Sequence, residues 1–299
     1  MQRKLLFFIN PISGVRNKKK LEEKIVSKCM AEGALHEILY TNKEGNYDYL
    51  PQKVSDNQVT DVIICGGDGS ISPIVSHLLN ISVNIGIIPL GSGNGLARSA
   101  GISPNLNRSL NIVFTGTPKY VDAFLVNNKL GCQITGFGFD ALIAGEFAKE
   151  RKRGLSTYTQ LAVKNFLKAR TYEFEISADN LQINLRAFIV CVSNANQFGN
   201  NLKIAPRASL QDGLLDLVIL KQTSKMSILV SFVNHLIFGK KISDIPKAGR
   251  KHILYFNTSE VTILNRDMAP IHIDGDPVDP MEKFDIKILP SAYKLIHPA

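Results

Sequence analysis

The sequence is poor in cysteine and contains no long apolar run. Its four cysteines are far apart and form no CxxC pair, which argues against a disulfide framework or a zinc site and predicts reduced core thiols in a cytosolic protein. The apolar run near the start stops at Asn10-Pro11, too early for a signal peptide. The most hydrophobic helical stretch, 227–238, contains Asn234 and His235 and falls short of the ~20 apolar residues that a membrane span needs. We therefore expect a chain that does not cross a membrane.

Acidic residues are fewer than basic ones, 26 against 35, which gives a net charge of +9. With 44% hydrophobic and 20% charged residues, the chain is a folded globular protein and not a disordered one. The positive charge favours acidic partners such as nucleotide phosphates, anionic lipid headgroups or nucleic acid. Nucleic acid is disfavoured, because the sequence has no recognition module and no interleaved aromatic and basic residues.

Basic residues recur in three clusters. They are Arg16 with Lys18, Lys19 and Lys20; Lys149 with Arg151, Lys152 and Arg153; and Lys240, Lys241, Lys247, Arg250 and Lys251. The first cluster is more typical of a solvated helix start. The other two clusters either dock a protein on anionic lipid headgroups, at about 1 kcal/mol per basic residue, or form an ordinary solvated surface. The sequence leaves both interpretations open.

The first third of the chain alternates strands with helices. Continuous apolar runs, typical of strands buried on both faces, cover 5–9, 62–65 and 85–88. Helical patterns cover 17–32, about 72–79, and a stretch that ends at Ala100 and Gly101. This order predicts an α/β domain with three layers, in which helices cover both faces of a parallel sheet.

After about residue 120 the pattern changes to short strands with alternating polarity. Asn127-Asn128 marks a tight hairpin between 121–126 and 130–135, and further strands are expected over 171–177, 183–192, 214–220, 261–264, 271–273 and 284–289. Helices are expected over 156–169 and 224–238. The pattern predicts an antiparallel β-sandwich domain. A domain boundary near 115–125 would leave a cleft for a site.

Three polar, glycine-bearing loops follow the predicted strands. They are Asn10–Gly14 with Ser13, Gly66-Gly67-Asp68-Gly69-Ser70, and Pro89–Gly95 with Gly91, Ser92 and Asn94. Glycines allow a backbone to approach a phosphate closely, and helix starts offer unpaired N–H groups. Taken alone, GGDGS is equally consistent with a helix-capping turn. A phosphate-rich ligand along the sheet edge explains all three loops, and Asp68 would then act through magnesium or accept a proton.

The three loops, in this order and spacing, resemble the diacylglycerol kinase catalytic superfamily, which includes bacterial soluble lipid kinases and sphingosine kinases. The resemblance continues through 136–140, 152–155 with Tyr158, 193–194, 204–206, 212–216 and 273–276. It implies a nucleotide domain of residues 1–120, joined by a C-terminal segment over 290–299, and a β-sandwich substrate domain over 121–289. It also implies a cytoplasmic lipid kinase that associates peripherally with membranes, and we allow for a homodimer.

The resemblance also assigns ligands. It places ATP against Asn10, Thr41, the loop from Gly66 to Ser72, and Ser92. It places Mg²⁺ at the Asp212 carboxylate and the carbonyls of Ser209 and Leu214, with Asp216 nearby. Oxygen ligands suit magnesium. Without the resemblance, 212–216 is better interpreted as a surface turn that enters a strand.

His272, Asp274 and Asp276 alternate with isoleucines, so on a strand they would share one face. In bacterial lipid kinases the last residue of a DGE tripeptide is a glutamate that acts as the base, and Asp276 stands at that position here. Asp68 is the competing candidate for the base. Taken alone, the DGD tripeptide is more typical of a turn and His272 of a structural histidine.

The loop Pro89–Gly95 reads GSGNG where diacylglycerol kinases commonly read GTxND. The GSGNG form is closer to sphingosine and ceramide kinases. We expect an ATP-dependent and magnesium-dependent kinase that phosphorylates a hydroxyl of a diacylglycerol-like or sphingoid lipid. Two alternatives remain. One is a kinase with a soluble substrate, since GGDG loops also occur in NAD kinases and phosphofructokinases. The other is a lipid-binding or nucleotide-binding protein without catalytic activity.

Overall fold

The computed structural model describes residues 2–14, 18–42, 44–150, 154–166, 169–179, 181–197, 203–222 and 252–299. The strands in these ranges are β1 (Lys4–Ile9), β2 (Leu35–Tyr40), β3 (Asp61–Gly66), β4 (Asn84–Pro89), β5 (Thr117–Val126), β6 (Lys129–Gly131), β7 (Ile134–Gly138), β8 (Tyr172–Ala178), β9 (Leu181–Ser193), β10 (Leu215–Lys221), β11 (Ile253–Thr258), β12 (Glu260–Asn265), β13 (Ile271–Ile273), β14 (Asp276–Val278) and β15 (Lys283–His297). The α-helices are α1 (Lys18–Ala31), α2 (Leu50–Asp56), α3 (Ile71–Ser76), α4 (Gly95–Ser99), α5 (Leu106–Thr115), α6 (Phe139–Lys149) and α7 (Leu155–Phe166).

The N-terminal half is a parallel sheet covered by helices on both faces. Its strands lie in the order β2-β1-β3-β4. Because side chains alternate along a strand, Leu6 and Phe8 pack with α2, α3 and α4 on one face, whereas Leu5 and Phe7 pack with α1 and α5 on the other. The predicted three-layer α/β arrangement is confirmed.

The C-terminal half is an antiparallel sandwich whose core contains Phe137, Phe174 and Phe284. The predicted Asn127-Asn128 turn is confirmed, since both residues have positive φ angles. The long strand β15 pairs with β12 and β5 and then runs parallel to β4 at Lys294 and Leu295. The C-terminal segment therefore extends the first sheet, and the predicted boundary at residue 120 falls inside β5.

Most predicted strands are present. The structure differs from the prediction in the following elements. The helix expected over 72–79 begins with a 3-10 turn at Asp68–Ser70 and ends at Ser76. The strand expected over 130–135 is split into β6 and β7. Strands β2, β11 and β14 and helices α2, α5 and α6 had no counterpart in the sequence prediction. The expected helix 224–238 and the basic residues at 16, 151–153, 240, 241, 247, 250 and 251 lie outside the described residues.

All four cysteines are buried, as the sequence predicts for core thiols. They are Cys29, Cys65, Cys132 and Cys191. Burial raises the pKa of each thiol above its ordinary value, because the thiolate loses its hydration. Within the described ranges, none of the helices combines the length and the apolar character required to traverse a bilayer.

An ion pair closes the amino-terminal edge of the parallel sheet. The buried Asp61 carboxylate accepts from Arg3 Nε and Nη2, both at 2.9 Å, and from Asn84 Nδ2 at 3.0 Å. Arg3 Nη2 also donates to the Val113 carbonyl at the end of α5. This bidentate pair therefore joins the start of β1 to β3 and to α5.

Replacing Arg3 with methionine is expected to lower the free energy of unfolding by about 3 kcal/mol, because it leaves a buried carboxylate without its cation. Urea denaturation followed by circular dichroism measures the loss. The matched control is Lys283→Met, which removes the exposed Lys283–Asp285 pair and should cost less than about 1 kcal/mol. Equal losses in the two variants would contradict the role assigned to burial.

Candidate active site

The three glycine-bearing loops meet at the carboxyl ends of β1, β3 and β4, which are neighbours in the sheet. Asn10 Nδ2 donates to Ser70 Oγ at 2.8 Å, and the Leu90 N–H donates to the Gly66 carbonyl at 2.8 Å. Thr41 follows β2, and its N–H donates to the Ile9 carbonyl. The sheet thus brings the predicted ATP-binding residues of the three loops, together with Thr41, to one edge.

Close backbone contacts explain the glycines of these loops. A Cβ atom on Gly14, whose φ is +54°, would lie 1.9 Å from the Leu90 carbonyl oxygen. A Cβ on Gly91 would lie 2.5 Å from the Gly67 Cα. Side chains at these positions would push the loops apart, so the glycines are required for convergence.

A lysine lies at the first loop. Lys18 Nζ donates to the Ser13 carbonyl, and burial lowers the pKa of the ammonium group. The sequence prediction gave the basic residues at the start of α1 little weight. The structure places one of them where a phosphate bound to the loops would meet a positive charge.

Asp68 is half-buried in the turn before α3, and its carboxylate contacts the start of α4. Its Oδ1 accepts from the Leu96 N–H at 3.3 Å. Burial raises its pKa to about 6, the N–H groups of Gly95, Leu96 and Asn94 oppose the rise, and the Asp274 charge adds to it. Asp68 is therefore a carboxyl group whose pKa is close to neutral pH, at the edge of the sheet where the loops converge, and a shifted pKa is typical of functional sites.

Asp274 joins the two halves of the molecule. Its carboxylate accepts from the N–H groups of Cys132, Gln133 and Ile134 at 2.8–2.9 Å and from the Ser72 hydroxyl. These bonds engage the N–H groups of Cys132 and Gln133, which lie between β6 and β7, and that of Ile134 at the start of β7, and they explain the gap between the two strands. The Ser72 hydroxyl, predicted to contact ATP, is engaged across the cleft.

The prediction that His272, Asp274 and Asp276 share one strand face is wrong. Asp274 and Gly275 have φ angles of 51° and 90° and form a two-residue turn between β13 and β14. His272 points into the core, whereas Asp276 is exposed. The physical reason is that an Asp-Gly pair readily adopts positive φ and reverses the chain.

Asp276 faces the loop that runs from Gly66 to Ser70. A Cβ atom on Gly69 would lie 3.3 Å from Asp276 Oδ2, so the carboxylate lies directly over the Gly69 backbone. The hairpin thereby places Asp276 over Gly69, the residue that follows Asp68. Both predicted catalytic carboxylates therefore lie at the same loop. Both are accessible from the cleft, since Asp68 is half-buried and Asp276 is exposed.

The predicted magnesium ligands lie elsewhere: Ser209, Asp212 and Leu214 are in the loop before β10, which contacts β5, and Asp216 is on β10 itself. Asp212 is exposed, whereas Asp216 is buried and accepts from the Tyr255 hydroxyl and from Asn257 Nδ2. Burial raises the pKa of Asp216 above its usual range. Among the described residues no three histidine, cysteine or carboxylate side chains are close enough to hold a metal. An ion here would depend on Asp212 and backbone carbonyls, an oxygen donor set that fits magnesium.

Sequence reasoning missed Asp122, which organises that stretch. Its carboxylate accepts from the Gly213 N–H and the Ser291 N–H, both at 2.8 Å. It thus ties the loop before β10 to the middle of β15. A buried aspartate within the apolar strand β5 was the available signal.

Gln133 was also missed. A Cβ atom on Gly95 would lie 2.6 Å from Gln133 Nε2 and 2.8 Å from the Gln197 carbonyl oxygen. The buried carboxamide therefore occupies the space that a side chain at position 95 would need. This packing accounts for the glycine where the GTxND pattern has an aspartate.

The fold combines an α/β domain, whose glycine-bearing loops meet at one edge of a parallel sheet, with an antiparallel β-sandwich. Residues 4–126 match the model of the diacylglycerol kinase catalytic domain, and residues 133–297 match that of the YegS C-terminal NAD kinase beta sandwich-like domain. The chain belongs to the diacylglycerol kinase catalytic superfamily.

Relatives of known name cover most of the chain. A protein of Shewanella frigidimarina named "Probable lipid kinase YegS-like" is 27% identical over 84% of this chain and 80% of its own length. The diacylglycerol kinase of Bacillus subtilis is 25% identical over 89% and 88%. A crystal structure of a diacylglycerol kinase from Bacillus anthracis superposes with a TM-score of 0.75 at 21% identity, over 99% of this chain and 97% of that one. The crystal structure supports the fold alone.

Gly14→Ala is expected to destabilise the protein more than Gly33→Ala. Both glycines have positive φ angles, but a Cβ on Gly33 meets nothing within 4 Å. Gly33→Ala should cost about 1 kcal/mol of backbone strain, and Gly14→Ala should cost more because the loops must separate. Urea denaturation measures both variants. A Gly14 variant as stable as the Gly33 variant would show that the close approach is unimportant.

Asp68→Asn is expected to stabilise the unliganded protein by about 1 kcal/mol at pH 7, because it removes a half-buried charge. The folded pKa of about 6 lies above the ordinary 3.8, so ionisation destabilises the fold fully above pH 6 and not at all below about pH 4. The gain should disappear over that interval. Urea denaturation at pH 4 and pH 7 measures it, with the exposed Asp276→Asn as control. A gain that persists at pH 4 would contradict the assignment.

Proposed function

We propose that this protein is an ATP-dependent lipid kinase that phosphorylates a hydroxyl of a diacylglycerol-like or sphingoid lipid. The observation that carries the proposal is the position of Asp276 over Gly69, opposite the three converging loops. Membership of a kinase family implies the use of ATP, and several relatives are named as lipid or diacylglycerol kinases.

The loops supply the features that a triphosphate requires. Their glycines leave the backbone open, and Lys18 at the first loop provides a positive charge. Phosphoryl transfer depends mainly on positioning and on neutralisation of charge. We infer that ATP lies along the loops after β1, β3 and β4, near Asn10, Ser13, Ser70, Gly91, Ser92 and Asn94, with Thr41 beside them.

The reaction requires one group to take a proton from the lipid. The hydroxyl oxygen forms a bond to the γ-phosphorus, the bond from that phosphorus to the β,γ-bridging oxygen breaks, and ADP leaves with the electron pair. The hydroxyl proton passes to a carboxylate. We assign this role to Asp276, because it is exposed and lies over the Gly66–Ser70 loop. We infer that Asp68 supplies a negative charge at a fixed position in that loop.

The family also implies a divalent metal. The Asp212 carboxylate with the Ser209 and Leu214 carbonyls would hold a magnesium ion in the loop before β10. Asp216 is held by Tyr255 and Asn257, so it would act on such an ion only through its neighbours. Asp122 fixes the loop that carries these ligands.

A lipid acceptor also implies contact with a membrane surface. Lys149 is exposed, and its ammonium group pairs with Glu146 on the same helix. The other basic residues assigned to this role lie outside the described residues. Docking on anionic lipid therefore stays a prediction that rests on charge.

One observation favours a soluble substrate instead. The model that matches residues 133–297 is described as NAD kinase-like. In that case labelled ATP would transfer phosphate to NAD and to no lipid. The same assay, with NAD added to the lipid panel, separates the two functions, and binding of ATP without any labelled product would indicate a protein without catalytic activity.

Asp276→Asn and Asp68→Asn are each expected to reduce lipid phosphorylation at least about 100-fold, because each removes a carboxylate from the reacting loop. The measurement uses purified protein, labelled ATP and a total lipid extract, and the labelled product is then identified. The control is Asp285→Asn, an exposed carboxylate on the sandwich, which should retain full activity. Undiminished activity in both site variants would eliminate the proposed mechanism.

A further inference from the structure

A histidine with no assigned function lies in the core behind the β13–β14 hairpin, which carries Asp276. His272, on β13, is completely buried. A polar ring is expensive to bury unless both of its nitrogen atoms have partners. One nitrogen faces α6 and the other faces the turn that precedes Asp276.

The two contacts determine which nitrogen carries the proton. The Gly275 N–H donates to Nδ1 at 3.1 Å, so Nδ1 holds the lone pair. Nε2 then carries the proton and lies 3.3 Å from Asp140 Oδ2, to which it donates. The neutral ring therefore bridges the first turn of α6 and the backbone of Gly275.

Gly275 sets the direction in which the chain leaves the turn. It has a φ of 90°, and Ile273 pairs with Asp276 immediately across the turn. Asp274 is held by its own set of hydrogen bonds. Between Asp274 and Asp276, the chain is held by the bond from the Gly275 N–H to His272. A shift at Gly275 would move the Asp276 carboxylate away from Gly69.

We propose that His272 is a positioning residue, which holds Gly275 so that Asp276 stays over the Gly69 loop. This inference rests on the proposed function, in which Asp276 accepts the substrate proton. Asp140 supports it from the far side of the ring, and a Cβ on Gly136 would collide with Asp140 Oδ2. The absence of a side chain at Gly136 therefore leaves the room in which Asp140 and His272 meet.

Two near-isosteric substitutions separate the two contacts of the ring. His272→Asn keeps an acceptor near the position of Nδ1 and loses the group at Nε2. His272→Gln keeps a donor near Nε2 and loses the acceptor for Gly275. A misplaced catalytic group costs about 100-fold in rate, so we expect kcat to fall about 100-fold in His272→Gln and about 10-fold or less in His272→Asn, with KM for ATP unchanged in both.

A test of His272→Gln in a second variant, Asp276→Asn, distinguishes a positioning role from a general loss of stability. In Asp276→Asn, His272→Gln is expected to change the residual rate by less than about twofold, because coupled residues are not additive. A merely structural histidine would lower both rates equally. Equal kcat values for His272→Asn and His272→Gln, or an undiminished effect of His272→Gln in Asp276→Asn, would overturn the inference.

A measurement on the unmodified protein covers the case in which a variant does not fold. Nitrogen-15 spectra of histidine-labelled protein should show His272 with a protonated Nε2 and an unprotonated Nδ1 at the pH of the assay. The opposite tautomer would overturn the inference. Failure of the unmodified protein to phosphorylate any lipid would refute the proposed function, whereas an active protein with a fully active His272→Gln variant would refute the positioning role alone.

Discussion

The Asp274 carboxylate accepts hydrogen bonds from three consecutive backbone N–H groups and from the Ser72 hydroxyl, and the cleft is organised around these contacts. A buried carboxylate is tolerated only when its lost hydration is replaced by such donors. Three of the donors belong to the link between β6 and β7, and the fourth belongs to α3 in the other half of the molecule. The same bonds therefore hold the β13–β14 hairpin against the nucleotide loops and place Asp276 over Gly69.

This arrangement gathers negative charge in a small volume. Asp68, Asp274 and Asp276 all lie near the loop that begins at Gly66, and a bound triphosphate would add to them. Burial and the Asp274 charge already raise the pKa of Asp68 to about 6. Stability and the proposed function therefore oppose each other here: the fold would be more stable without the Asp68 charge, whereas the role proposed for Asp68 in the loop requires it. Lys18, at the first loop, is a cation that would offset part of this negative charge.

Local patterns in the sequence were sufficient for the elements whose contacts are local. The apolar runs 5–9, 62–65 and 85–88 predict buried strands, and glycine with polar residues at their ends predicts the loops, because strand and loop each depend on neighbouring residues. The role of Asp274 was not predictable in this way, since its donors at 132–134 are about 140 residues distant along the chain. The alternating polarity of 271–276 suggested a strand, although the Asp-Gly pair within it already indicated a turn.

The loop Pro89–Gly95 shows how packing can replace one polar group by another. Position 95 has no room for a side chain, because the Gln133 carboxamide and the Gln197 carbonyl occupy the space. The aspartate of the GTxND pattern is thus absent for a steric reason, and a neutral amide stands beside the glycine whose N–H binds Asp68. The loss of one carboxylate reduces repulsion in a cleft that already holds three. It follows that the absence of a side chain at position 95 depends on Gln133, a residue far away along the chain.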